Sequence, residues 1–114
     1  MKLGNIVELL DAKVLCGDDM DMEIQTACGS DMMSDALAFI EDQAMLLTGL
    51  INPQSVRTAE MLDMRCICFV RGKMPGDDVV ELARERGIAV LTTRYRMFSA
   101  CGKLYQAGLR GGDC

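Results

Sequence analysis

The sequence predicts a three-layer α/β/α domain, in which helices flank both faces of a mostly parallel sheet of about four to five strands. Three observations carry that expectation. From residue 44 onward, apolar runs of strand length alternate with helical patterns: "AMLLTGL" precedes "NPQSVRTAEMLDM", "CICFV" precedes "GDDVVELARERG", and "IAVLTT" precedes "RMFSACGKLYQAGL". The connections are short, and a parallel neighbour is reached only through a crossover of this kind. The chain has 114 residues, 50% of them apolar, which suffices for one buried core without staples.

Each element has its own signal. Leu3, Ile6, Val7 and Leu10 recur at helical spacing, and that helix should end near Asp11. A short strand at "AKVLC" closes on the turn signal Gly17 to Asp19, and a second at "EIQTAC" leads into "ACGSDMMSD", a strand-to-helix turn. Either strand could join the sheet in either direction. Met33, Ala36, Leu37 and Ile40 make an apolar face behind Ser34, a good N-cap. Asn52 followed by Pro53 reads as an N-cap with proline at the first helical position, where no amide donor is needed. Gly87 after "ARER" reads as a C-cap, with Arg84 and Arg86 at the favourable end of the helix dipole. Residues 1–110 form a single domain and 111–114 a flexible tail, with no internal repeat or linker.

Composition narrows the chemistry. The chain has no histidine, which removes the usual general base, the Ser/His and Cys/His pairs and His-containing zinc sites. The N-terminal stretch carries Glu8 and Asp11 within its apolar pattern, so it supports neither a signal peptide nor a membrane span, and a cytoplasmic location is expected. In that reducing setting the six cysteines read as thiols. Cys66 and Cys68 alternate in "RCICFV", so both face one side of a buried strand and fill space as small apolar groups. Net charge is −5, but residues 1–64 hold three Lys/Arg against twelve Asp/Glu, while residues 65–114 hold nine against five. The balance argues against nucleic acid as a partner, leaves the C-terminal half able to hold a small anion, and permits self-association between the halves.

In an open parallel sheet, ligands bind outside the carboxyl ends of the strands. Those ends carry Thr48, Gly49 and Asn52, then Arg71, Gly72 and Lys73, then Thr92, Thr93 and Arg94. Glycines admit a ligand to the backbone, helix-start amides favour anions, and the cations add charge-assisted bonds. Polar, glycine-bearing turns are also what short βα loops need structurally. Ser30, Asp31 and Ser34 form the adjoining turn, read as caps that also line one wall of a shallow pocket opposite Thr48 and Gly49. Cys28 is a poor nucleophile there, because Asp31 and Asp35 disfavour a thiolate. The Asp-x-x-x-Asp spacing matches no calcium loop, and neither G-x-G-x-x-G nor a P-loop occurs, so no metal or cofactor is expected.

Residues 24–110, centred on "AMLLTGLINPQSVRTAEMLDMRCICFVRGKMPGDDVVELARERGIAVLTT", resemble the DRTGG domain. The order strand, Thr-Gly, helix, strand, x-Gly, helix, strand, Thr-Thr carries the likeness. Thr48 and Gly49 match the family's Thr-Gly, whereas Leu50 stands at the second glycine and Ile51 and Asn52 stand where Asp-Arg would follow. The segment from Leu10 to Leu37 is also similar to the N-terminal domains of HPr kinase and the Mur ligases. The resemblance implies an accessory or regulatory domain without catalysis of its own, often joined to CBS domains or larger enzymes and lying at subunit interfaces.

The expectation is therefore a non-enzymatic regulatory homodimer that senses a small anion such as a nucleotide or phosphorylated small molecule. A ligand-free adaptor docking a protein partner, through exposed methionines such as Met20, Met22 or Met74, is the alternative. A thiol or metal accessory protein using Cys28, Cys16 or Cys101 is a third reading.

Overall fold

The computed structural model describes residues 1–33 and 44–111. Helix α1 (Leu3–Leu10) buries Leu3, Ile6 and Leu10, as their spacing requires, and stops at Asp11 in the left-handed conformation (φ 48°). Strands β1 (Lys13–Cys16) and β2 (Thr26–Gly29) follow. The three expected strand–helix pairs are β3 (Ala44–Thr48) with α2 (Pro53–Met61), β4 (Cys66–Phe69) with α3 (Asp77–Glu85), and β5 (Ala89–Thr92) with α4 (Met97–Gln106). The helix expected behind Ser34 falls outside the described residues, apart from the buried Met33.

The sheet runs β1-β5-β4-β3-β2, with β2 to β5 parallel and β1 antiparallel against β5. Glu23 to Gln25, expected to open β2, lie outside it. Glu23 instead bridges Lys2, and Ile24 exchanges backbone hydrogen bonds with Met1 at 2.8 Å in each direction. The buried Ile24 is thus part of a clasp on the N-terminus, and the strand proper starts two residues later.

Every residue of β3, β4 and β5 is buried, as strands covered on both faces must be. Their alternation divides the core. Met45, Leu47, Cys66, Cys68, Ala89 and Leu91 meet α1 and α4 on one face, whereas Ala44, Leu46, Ile67, Phe69 and Val90 meet α2 and α3 on the other. The architecture is α/β/α with a five-stranded, mostly parallel sheet. The C-cap of α3 is Arg86, one residue before the glycine read as the cap; Gly87 follows with φ 71°, its amide closing on Arg84 O while Ile88 N closes on Ala83 O.

Cys66 and Cys68 share the α1/α4 face. Burial pushes the Cys66 thiol well up and the Cys68 thiol up to about 12. A thiol in the unfolded chain ionises near about 8.5, so between that pH and about 12 the folded state holds the proton that the unfolded state has lost. Stability contributed by Cys68 is fully present below the lower value and is lost as pH rises through the window, at about 1.4 kcal/mol per pH unit. Urea unfolding between pH 8 and 11 should show this decline, and Cys68→Ala should make it shallower, with Cys66 still contributing. Both thiols should resist alkylation until denaturant is added.

Candidate functional site

The carboxyl ends of β2, β3, β4 and β5 lie side by side, because the four strands are parallel and adjacent. The turn after β2 therefore meets the loop after β3. Asp31 Oδ1 accepts from Gly49 N at 2.6 Å and from Thr48 Oγ1 at 3.2 Å, and Thr48 Oγ1 accepts from Leu50 N at 3.1 Å. Ser30 Oγ accepts from Met32 N at 3.0 Å, and Ser30 N donates to Leu47 O. Asn52 caps α2 through Gln54 N at 2.9 Å. Ser55 Oγ donates to Leu50 O, tying the same loop from α2. This half of the rim satisfies itself: the amide of Gly49 is held by Asp31, and that of Gln54, at the start of α2, by Asn52. Ser34 lies outside the described residues.

The other half is built differently. Arg71 and Gly72 both adopt left-handed backbone (φ 63° and 69°), closed by Lys73 N donating to Val70 O at 3.2 Å. Positive φ at both central positions is the signature of a type I′ turn. The turn is pinned to β5's loop by Arg71 N on Tyr95 O at 2.8 Å, Gly72 N on Thr93 O at 2.9 Å and Thr92 Oγ1 on Lys73 O at 2.7 Å. Thr93 is buried, and its Oγ1 donates to Leu10 O at 2.6 Å, locking the end of α1 to this edge. Thr92 and Thr93 are thus structural ties.

Arg71, Lys73, Arg94 and Arg96 are exposed and line one open cleft of about 540 Å³. Arg94 lies 3.6 Å from Asp11, with both side chains about three-quarters exposed, whereas the other three have no carboxylate partner among the described residues. Arg96, the N-cap of α4, has extended backbone, and the helix begins with no side-chain cap and no acidic residue in its first turn. Arg96 is the lining residue that reading the sequence as a helix from "RMFSAC" assigned to the helix itself. The signal was present in the alternation Arg94, Tyr95, Arg96.

The position of this cleft follows from topology. After β4 the chain crosses to the α2/α3 face, and after the neighbouring β5 it crosses to the α1/α4 face. The two loops are tied to each other at the carboxyl edge of the parallel sheet, the edge outside which open α/β sheets bind ligands. Arg71 also joins the two halves of the rim. A Cβ placed on Gly49 would lie 2.6 Å from Arg71 Nη2, so the guanidinium rests on the glycine. Gly49→Ala should displace that flexible side-chain end and leave the fold intact. Its expected signature is an unfolding midpoint within a few degrees of wild type together with weaker binding of polyanions by calorimetry.

A family model for the DRTGG domain matches residues 5–107. The chain belongs to the DRTGG domain family. Among solved structures, this DRTGG domain is similar to the CBS and DRTGG domains of the regulatory region of Clostridium perfringens pyrophosphatase, complexed with the activator diadenosine tetraphosphate. The TM-score is 0.72 at 21% identity, covering 93% of this chain and 46% of the other, so the DRTGG domain here spans less than half the length of that structure. No curated protein matches the chain.

The thiols of Cys28 and Cys101 are held toward the protonated form. Burial raises Cys28, with Cys101 adding to the shift, and burial alone raises Cys101. Among the described residues, no three His, Cys, Asp or Glu side chains converge in a way that could hold a metal ion, and no helix is long and apolar enough to cross a membrane. Met20 and Met22 pack against the core, while Met74 is exposed.

Proposed function

We propose that the chain is a non-catalytic regulatory domain that senses a small phosphorylated anion, of the nucleotide class, at the carboxyl edge of its sheet and works in the cytoplasm. The observation that carries this reading is the cleft of Arg71, Lys73, Arg94 and Arg96 at the change of face between β4 and β5. Four like charges held together with one carboxylate, Asp11, beside them weaken a fold, and an anionic ligand relieves that cost. The absence of histidine and the raised thiols support a role without catalysis. The nucleotide activator bound in the regulatory region of the pyrophosphatase supports a phosphorylated ligand.

Thermal unfolding with and without millimolar nucleotides tests the ligand. A ligand at 100 times its Kd should stabilise by about 2.7 kcal/mol through mass action, and a flat panel would leave only an interaction role. A homodimer is the expected assembly. The outer face of α4 supports it, where Phe98 is 89% exposed and Tyr105 56%, with the exposed Gly102 between them at helical spacing. Such aromatic exposure is what an interface covers. Sedimentation at high protein concentration should give twice the chain mass, and a monomer there would remove the dimer. The same face favours a second reading, an adaptor that docks another protein.

A further inference from the structure

We infer that two copies of the chain join by a reciprocal lock, in which Phe98 of each fills the cavity between α4 and β2 of the other. The inference rests on the homodimer reading above and names the surface, the residues and the way they pair.

Knob and hole share one stripe of α4. Phe98, Cys101, Gly102 and Tyr105 recur at i, i+3, i+4 and i+7, which sets them on one side of the helix. None is charged, whereas the exposed side of α3 carries Asp77, Asp78, Glu81, Arg84 and Glu85. Phe98 stands in the first turn and is 89% exposed. Further along the stripe, Cys101, Leu104 and Tyr105 wall a cavity of about 200 Å³, with Ala27 of β2 and Leu109 among its other walls. A dry apolar cavity of about 150 Å³ holds benzene, so one phenyl ring fits.

Two-fold symmetry connects them. When the α4 helices of two copies run antiparallel, each residue lies opposite one equally far beyond the crossing, and every contact occurs twice. With the crossing between Cys101 and Gly102, Phe98 comes opposite Tyr105 of the other copy, seven residues or about 10 Å along the helix, at the cavity's rim. Gly102 permits that crossing. A Cβ built on it meets nothing within 4 Å in its own chain, so the fold itself has no need of a residue that weakens a helix. Two helices in contact there do, because their separation is set by the side chains between them.

The charges close the same way. Asp31 follows the carboxyl end of β2, Arg110 bridges Thr26 at its amino end, and both are exposed. An axis that reverses α4 reverses β2 with it, bringing each Arg110 to the Asp31 of the other copy. Asp31 uses Oδ1 on Gly49 and Thr48, which leaves Oδ2 for the guanidinium. Opposite charges so placed fix the register of an interface.

Sedimentation velocity over a concentration series, on wild type, Phe98→Ala and Gly102→Gln, reads the association, and thermal unfolding of dilute protein reads the fold. Phe98→Ala should raise the dimer Kd by about thirtyfold or more, as loss of an aromatic anchor does, with the dilute unfolding midpoint unchanged. Gly102→Gln should act in opposite directions, raising that midpoint through helix propensity and abolishing the dimer. Alkylation read by peptide mass adds a local probe. Cys101, inside the filled cavity, should label more slowly above the dimer Kd than below it, while Cys28, which faces the α2/α3 layer, should label equally at both. A dimer that survives Phe98→Ala, with Cys101 labelling independent of concentration, would overturn the lock and leave the homodimer standing. A monomer at the highest concentration would remove both.

Discussion

Phe69→Ala is expected to cost about 3–5 kcal/mol of unfolding free energy. Phe69 is fully buried on β4, the middle strand of the five, and packs into the α2/α3 layer with Ile67, Leu46 and Val79. Deleting the ring leaves a cavity that a central strand, paired on both sides, cannot collapse to fill. For a domain of this size each kcal/mol moves Tm by roughly 4–8 °C, so the midpoint should fall by well over ~10 °C. Total stability in small domains is about 5–15 kcal/mol, and the variant should sit near the edge of folding. Urea unfolding followed by circular dichroism measures it, and a loss under ~1 kcal/mol would contradict the packing described for this layer.

The second large effect separates function from fold. Lys73→Ala combined with Arg96→Ala should weaken nucleotide binding by about a hundredfold, since two charge-assisted contacts are lost, while unfolding stability stays within ~0.5 kcal/mol of wild type. Both side chains are exposed and neither has a carboxylate partner among the described residues, so the fold loses nothing that held it. Relief of mutual repulsion should make the variant slightly more stable at low salt. Calorimetric binding and thermal unfolding on the same preparation decide the matter. A matching loss in both would mark the cluster as structural.

Much of the fold was legible because strands buried on both faces read as continuous apolar runs. Ala44 to Leu47 and Cys66 to Phe69 look like nothing else at that length, and Asn52-Pro53 and Gly87 mark helix ends through their own backbone chemistry. The direction and place of β1 and β2 were not legible. Apolar alternation has the same period whichever way a strand runs, and Lys13 and Val14 are exposed at an edge, where packing imposes little pattern. The candidate site was legible in part for the same reason. Arg71, Lys73 and Arg94 stand at strand ends in the sequence itself, but the closure of Asp31 on Gly49 depends on β2 lying beside β3, and the role of Arg96 depends on where α4 begins. The hydroxyls of Thr48, Thr92 and Thr93 and the amides of Gly49 and Gly72 hydrogen-bond to neighbouring residues, since hydroxyls and amides so close together satisfy one another.

The antiparallel β1 also sets an order of assembly. Strands β2 to β5 each pair with a neighbour close in sequence, whereas Lys13 pairs with Thr92 and the Thr93 hydroxyl reaches Leu10, 83 residues away. Closing so long a loop is entropically costly and slow. The N-terminal helix and strand should therefore dock last, onto a sheet already formed. Asp11 and its contact with Arg94 arrive with that final step, so the complete cleft exists only in molecules that have finished folding, and amides of β1 should exchange with solvent sooner than those of β3 and β4.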